Sequence, residues 1–208
     1  MPRSAPPPDD LTLAQLRATF AGEVVWDGAQ VSSTESIGRT RVTPGGQQRL
    51  DLRAQWHRRS WRLSMEADTR FDVQLDGRPM TVTFRTTYAR LTGQDIPWVQ
   101  LLPGASEHET VQQVERLRAQ CDEALFPWLD QVQTPAGLVE FVALPLNSLR
   151  LMSAAVIGPF RPAHLVAALL PASEAADAQA RLQEAERLTR LHLREREQFG
   201  ANDTAPAG

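Results

Sequence analysis

Residues 48–90 read QRLDLRAQWHRRSWRLSMEADTRFDVQLDGRPMTVTFRTTYAR. Apolar and polar residues alternate at period two through three successive segments. Leu50, Leu52, Ala54 and Trp56 mark the first, and Trp61, Leu63, Met65, Ala67, Phe71, Val73 and Leu75 the second. Met80, Val82, Phe84 and Tyr88 mark the third. Period two is the repeat of a strand with one buried face. Asp76-Gly77, between the last two segments, suits a two-residue type I′ hairpin turn, which predicts Leu75 opposite Arg78. Counting back from the turn sets Val73 against Met80, Phe71 against Val82 and Met65 against Tyr88; on the other face Asp68 meets Arg85. One register satisfies both faces, apolar beside apolar and acid beside base. Pro79 has no N–H to give to a ladder, so it is expected beside the turn on an edge strand.

Upstream, behind Asp9 and Asp10, Leu11 is followed by Leu13, Leu16 and Phe20, the last three at three- and four-residue steps, which predicts a short capped helix. A β segment is expected at residues 24–26, and a strand at 39–42 within the turn-rich stretch 28–47. Beyond Pro103 the period lengthens. Ser106-Glu107-His108-Glu109 is a capping box, and Val111, Val114, Leu117, Cys121 and Leu125 form a helical stripe. Thr134-Pro135 opens a helix holding Leu138, Phe141 and Val142, and another is expected over 162–170. The last helix is long. Ser173 caps it, Leu182, Ala185, Leu188 and Leu191 line one side, and Gly200 closes it. Asp177 with Arg181, and Glu186 with Arg190, stand four apart on its polar side.

Strands first and helices afterwards predict an α+β fold: an antiparallel meander of about three to five strands within residues 22–91, then a helical C-terminal half. The expected organisation is a disordered leader at 1–8, one domain over 9–200 and a disordered tail at 201–208. Within the domain, 9–92 hold the first helix and the sheet, and 105–200 the helical part.

The 208 residues carry a net charge of −3, and all 22 basic residues are Arg. A chain without Lys has no Walker A loop, no kinase nucleotide lysine and no amine for a Schiff base, because Arg stays protonated. A lone Cys121 excludes an internal disulfide and a four-cysteine zinc site. No apolar run follows Arg3 as a secretory signal would require. The most apolar stretch, 141–172, is broken by Pro145, Arg150, Pro159, Arg161 and Pro162 before it could span a membrane. A cytoplasmic chain is expected. With no GxSxG, GxGxxG or HExxH pattern, no cofactor and no metal are expected either.

Trp56, His57, Arg58, Arg59, Trp61 and Arg62 combine positive charge with aromatic rings, the composition of a surface that tracks phosphates and stacks bases. Strand periodicity divides them, with Trp56 and Trp61 on the apolar face and Arg62 on the polar one. Glu66, Asp68 and Asp72 share the polar face, where Arg62, Arg70 and Arg85 can neutralise them, so a catalytic carboxylate pair is not expected. His108 between Glu107 and Glu109 does not form a metal face, because consecutive helix positions point apart. His57, His164 and His192 are isolated in sequence, and the apolar stripe predicts that Cys121 is buried.

The leading reading is a small non-enzymatic protein acting through a protein partner or as a homo-oligomer, with Leu182, Leu188 and Leu191 as its interaction stripe. One alternative is single-stranded nucleic-acid binding at residues 56–62. The other is an apolar ligand on the sheet face holding Trp56, Trp61, Met65, Phe84 and Tyr88. A helix followed by long antiparallel strands resembles, in fold alone, half-barrels that cup lipids.

Overall fold

The alternating stretch folds into long antiparallel strands. The computed structural model describes residues 11–26, 28–33, 38–75, 78–94, 98–153 and 169–202. Helix α1 (Leu11–Glu23) leads into β1 (Gln30–Ser33), β2 (Gly38–Thr43), β3 (Gly46–His57), β4 (Ser60–Leu75) and β5 (Arg78–Thr87), each strand pairing with the next. This is the predicted meander. Two short strands complete the sheet: β6 (Val99–Leu101) beside β4 and β7 (Met152–Ser153) beside β5.

The hairpin register is the predicted one, with Leu75 opposite Arg78, Val73 opposite Met80, Phe71 opposite Val82 and Asp68 opposite Arg85. The turn at 76–77 lies outside the described residues. The ladder stops at Glu66–Thr87, one step short of the expected pairing of Met65 with Tyr88. Thr87 turns the chain instead, accepting a hydrogen bond from the Arg90 N–H and capping helix α2 (Tyr88–Thr92). β7 pairs with β5 only at Phe84 and Arg85, so Pro79 sits on a stretch of β5 with no outer partner among the described residues.

Of two expectations in the first part of the chain, one changes and one holds. Residues 24–26 form no strand; Val24 and Trp26 are buried and Val25 is 66% exposed, an alternation made by an anchoring loop. Trp26 stacks on Phe126 and lies under the Arg41 guanidinium at 4.4 Å. The strand expected at 39–42 is β2, and β3 starts at Gly46, where a Cβ would stand 1.9 Å from the Arg70 carbonyl oxygen. Only glycine lets the two strands come this close.

In the helical half, the capping box opens α3 (Glu107–Gln120): Glu109 N–H donates to Ser106 Oγ, and Ser106 N–H donates back to Glu109 Oε2 at 2.8 Å. The predicted stripe then passes through a π-helical turn (Cys121–Leu125) into α4 (Phe126–Gln131). Pro127 supplies no N–H and its ring crowds the preceding turn, so the helix widens just before it. Thr134 caps α5 (Pro135–Val142) as expected.

The last helix, α6 (Ala172–Asn202), runs through Gly200 rather than ending there, so the expected tail begins in helix; 203–208 lie outside the described residues. So do the leader at 1–8 and most of the helix expected at 162–170, of which Leu169 and Leu170 form a turn. Glu186 and Arg190 pair at 2.7 Å, whereas Arg181 makes its ion pair across to Glu140 on α5.

The apolar sheet face is the core. Leu50, Leu63, Met65, Phe71 and Phe84 pack under Leu16 and Phe20 of α1, Leu117 of α3, Cys121, Leu125 and Leu129. Met65, Phe84 and Tyr88, considered above for an apolar ligand, are thus covered by the protein's own helices. Two buried polar groups tie sheet to helix: Gln48 Nε2 donates to the Leu129 carbonyl at 2.6 Å, and Thr69 Oγ1 to that of Val132 at 3.3 Å. These bonds satisfy carbonyls that the end of α4 leaves open. Among the described residues, no helix is long and apolar enough to cross a membrane.

Candidate functional site

On one edge, β4 changes neighbour part-way along its length. β5 accompanies it as far as Glu66 and then leaves, and β6 resumes the pairing at Leu63. Ser64 and Met65 fall in the gap, and α2 carries the chain away beside it. A cleft of about 400 Å³ opens there on the polar face. β3 contributes Arg53 and Gln55, and β4 contributes Arg62 and Ser64. Thr87, Ala89 and Arg90 form the wall at α2, and Trp98 closes the side next to β6.

Register explains how the aromatic reaches the cations. Extending the β4–β6 ladder by one step puts Trp98 opposite Ser64 and diagonal to Arg62. The Arg62 guanidinium accordingly lies 4.3 Å over the Trp98 ring, which is 37% exposed. Arg90 Nη1 donates to the Leu149 carbonyl at 3.2 Å. Arg53 is shared with acids, 3.2 Å from Glu66 and 3.7 Å from Asp51. Among the described residues, Arg62 and Arg90 have no acidic partner.

The rest of the polar face is neutral. Arg49, Arg53, Arg70 and Arg85 stand against Asp51, Glu66, Asp68 and Asp72, four against four. Asp51 and Asp68 are buried beneath their arginines, Arg49 at 2.8 Å and Arg70 at 3.0 Å. Burial holds the Asp68 carboxyl above its ordinary range despite Arg70. Asp72 accepts from Thr81 Oγ1 at 2.7 Å. These acids are engaged by partners along or across the strands, and among the described residues of this face the excess positive charge lies in the cleft and the adjoining turn.

That turn joins β3 to β4 through Arg58 and Arg59 alone, with φ of +46° and +67°. Both lie in the left-handed region that a type I′ turn requires and that Asn-Gly fills at little cost. Here two exposed arginines occupy it. The Gln100 amide of β6 donates to Ser60 Oγ at 3.0 Å, and that hydroxyl donates to the His57 carbonyl at 3.1 Å, bracing the turn. Partial desolvation, then the charges of Arg62 and Arg58, hold the His57 imidazole below its ordinary pKa.

The six residues singled out at 56–62 therefore do not share one surface. Trp56 and Trp61 are direct cross-strand partners, edge to face at 5.2 Å, on the face opposite Arg62, and Trp61 packs against the core. Arg58 and Arg59 form the tip between the faces. The structure brings Arg62 together with Trp98 and Arg90, which sequence reasoning missed. The alternation of Trp98, Val99, Gln100 and Leu101 is the signal for β6, but three residues are too few for period two to stand out.

Elsewhere, the buried line of α6 is Ala178, Leu182, Ala185 and Thr189. Leu182 is thus packed within the chain, Leu188 is half-buried and Leu191 is 46% exposed. Burial raises the Cys121 thiol to about 12, far from a reactive thiolate. His108 contacts Gln112 and His192 the Leu188 carbonyl, while His164 lies outside the described residues. Among the described residues, no three His, Cys, Asp or Glu side chains gather as a metal site would need. Compared with known families, curated proteins and solved structures, the chain matches none.

Proposed function

We infer that the protein is a non-enzymatic binding protein whose partner is single-stranded nucleic acid, held along the Arg58-Arg59 turn and in the adjoining cleft. One observation carries this reading: Arg62 and Arg90, without acidic partners among the described residues, converge on a cleft walled by the Trp98 ring. Guanidinium forks suit phosphate oxygens, and a guanidinium stacked on an aromatic offers a plane to a base. The cytoplasmic setting expected from the sequence suits such a partner. The test is fluorescence anisotropy of a labelled single strand at low salt, with native protein and with Arg62→Gln/Arg90→Gln. Binding that the double variant weakens at least tenfold supports the reading, at roughly 1.5 kcal/mol or more for charged hydrogen bonds. No binding by the native protein ends it.

A second reading, self-association or docking of a protein partner through α6, has one observation in its favour. Beyond Thr189 the helix rests on nothing among the described residues: 190–196 are all exposed, with Leu191 at 46% and Leu193 at 39%. Analytical ultracentrifugation of the native protein and Leu191→Glu tests self-association. A dimer that the variant dissociates supports it, and a native monomer at every concentration removes it.

A further inference from the structure

Resting on the single-strand reading, we propose that the cleft takes the terminal nucleotide of the strand with its terminal phosphate monoester, the chain leaving over the Arg58-Arg59 turn. Charge decides between a chain end and an internal diester. Arg53 is balanced by Glu66, whereas Arg62 and Arg90 bring two positive charges that no described acid answers. A monoester carries about −1.5 to −2 at neutral pH and three strong acceptor oxygens, against a single charge on a diester. The monoester neutralises the cleft; a diester leaves one guanidinium unanswered.

Position argues the same way. From the cleft, the polar face runs in one direction to Asp51, Glu66 and Asp68, where the next phosphate would meet carboxylates. In the other direction it runs to Arg58 and Arg59 at the tip. A strand coming in over the tip therefore meets, among the described residues, no unbalanced cationic path along this face beyond the cleft. The volume of about 400 Å³ is at the small-ligand end of pocket sizes, room for one nucleotide rather than a tract. The Arg62–Trp98 stack gives that nucleotide's base a flat surface.

The experiment compares one labelled sequence bearing a 5′-phosphate, a 3′-phosphate, hydroxyls at both ends, or no ends because it is circular, each titrated against the full chain. The expected result is that one phosphorylated end binds about tenfold or more tighter than the hydroxyl-ended and circular strands. Arg90→Gln, its fold checked by thermal melting, should abolish that preference and leave the weaker binding through the tip. Equal binding of all four strands overturns the proposal while the single-strand reading stands. Binding of none overturns both. Adenosine monophosphate binding as tightly as the best strand would identify a free nucleotide as the ligand, and the strand-end proposal would fall.

Discussion

Replacing Arg58-Arg59 by Asn-Gly should make the protein more stable and a poorer binder at the same time. Both arginines sit at positive φ, where a residue with a Cβ is strained by about 1–2 kcal/mol. Asn relieves part of that strain and Gly all of it, the latter offset by about 0.5–1 kcal/mol of added chain entropy in the unfolded state. The net gain is about 1–2 kcal/mol. For a chain of this size each kcal/mol moves the thermal midpoint by about 2–4 °C, so the melt should shift upward by roughly 2–8 °C. Binding should move the other way. Each phosphate neutralised on a single strand contributes about −0.7 to the slope of log affinity against log salt. Arg58, Arg59, Arg62 and Arg90, the last two sharing the doubly charged terminal phosphate, answer four phosphate charges and give about −2.8, and the two left in the variant about −1.4. Raising salt from about 50 to 200 mM should then weaken the native protein about 50-fold and the variant about sevenfold. Circular dichroism melts and anisotropy titrations read the two effects separately. A midpoint that stays or falls would refute the strain argument, and an unchanged salt slope would refute the placing of these arginines on phosphate.

Gly46→Ala puts a Cβ 1.9 Å from the Arg70 carbonyl oxygen, so β3 must shift from β4 and a urea melt should show a loss of about 1–3 kcal/mol; an unmoved midpoint contradicts it. Gln48→Leu removes the amide that donates to the buried Leu129 carbonyl at 2.6 Å, for a loss of about 1–3 kcal/mol by the same measurement, and a neutral result would mean the carbonyl finds another donor. Cys121, buried and pushed up to about 12, should resist a thiol reagent in native protein and react once urea unfolds it; immediate labelling would show that the helix face opens. Asp68 is held above its ordinary 3.8, so it favours the folded state while protonated and that contribution is lost as pH rises through the raised value. Asp68→Asn has no such loss, so urea melts from acid to neutral pH should show the native protein losing stability relative to the variant. The opposite trend would mean that the pairing with Arg70 outweighs burial.

What could be read in advance was local. The register of β4 on β5 follows from period two and an Asp-Gly pair, both contained within 48–90. The capping box at Ser106 and the Thr134 cap are contained within four residues. Alternation without a partner strand misleads, as residues 24–26 demonstrate: burial of Val24 and Trp26 around an exposed Val25 has a strand's pattern in an anchoring loop. On α6 the leucines suggest a stripe through Leu188, but the packed line steps to Thr189, whose hydroxyl accepts from the Leu146 N–H at 2.9 Å. Hydrophobicity alone cannot favour a threonine over a leucine. For the site, Arg62 and the Arg58-Arg59 turn were legible as residue types. Their grouping with Arg90 and Trp98 was not, because it depends on where β5 stops and β6 begins.

That stopping point also explains why a cleft forms there. β4 is sixteen residues long and β5 only ten, so no single hairpin partner can cover the edge of β4. Where β5 departs, the backbone N–H and C=O that the Ser64–Met65 stretch turns to that edge need water or another partner, and α2 leads the chain away before β6 resumes the pairing. A departure of this kind leaves a concavity in an otherwise continuous face. On the continuous part each guanidinium of the polar face has its acid; at the concavity no acid among the described residues pairs with Arg62 or Arg90. Exposed charge pairs add at most about 1 kcal/mol to a fold, so leaving Arg62 and Arg90 without an acid among the described residues costs stability little. Two arginines at positive φ in the neighbouring turn subtract from stability outright. The turn needs positive φ but not arginine, and the tip it forms adjoins the cleft that Arg62 and Arg90 line. The proposed phosphate-bearing ligand would account for the two together.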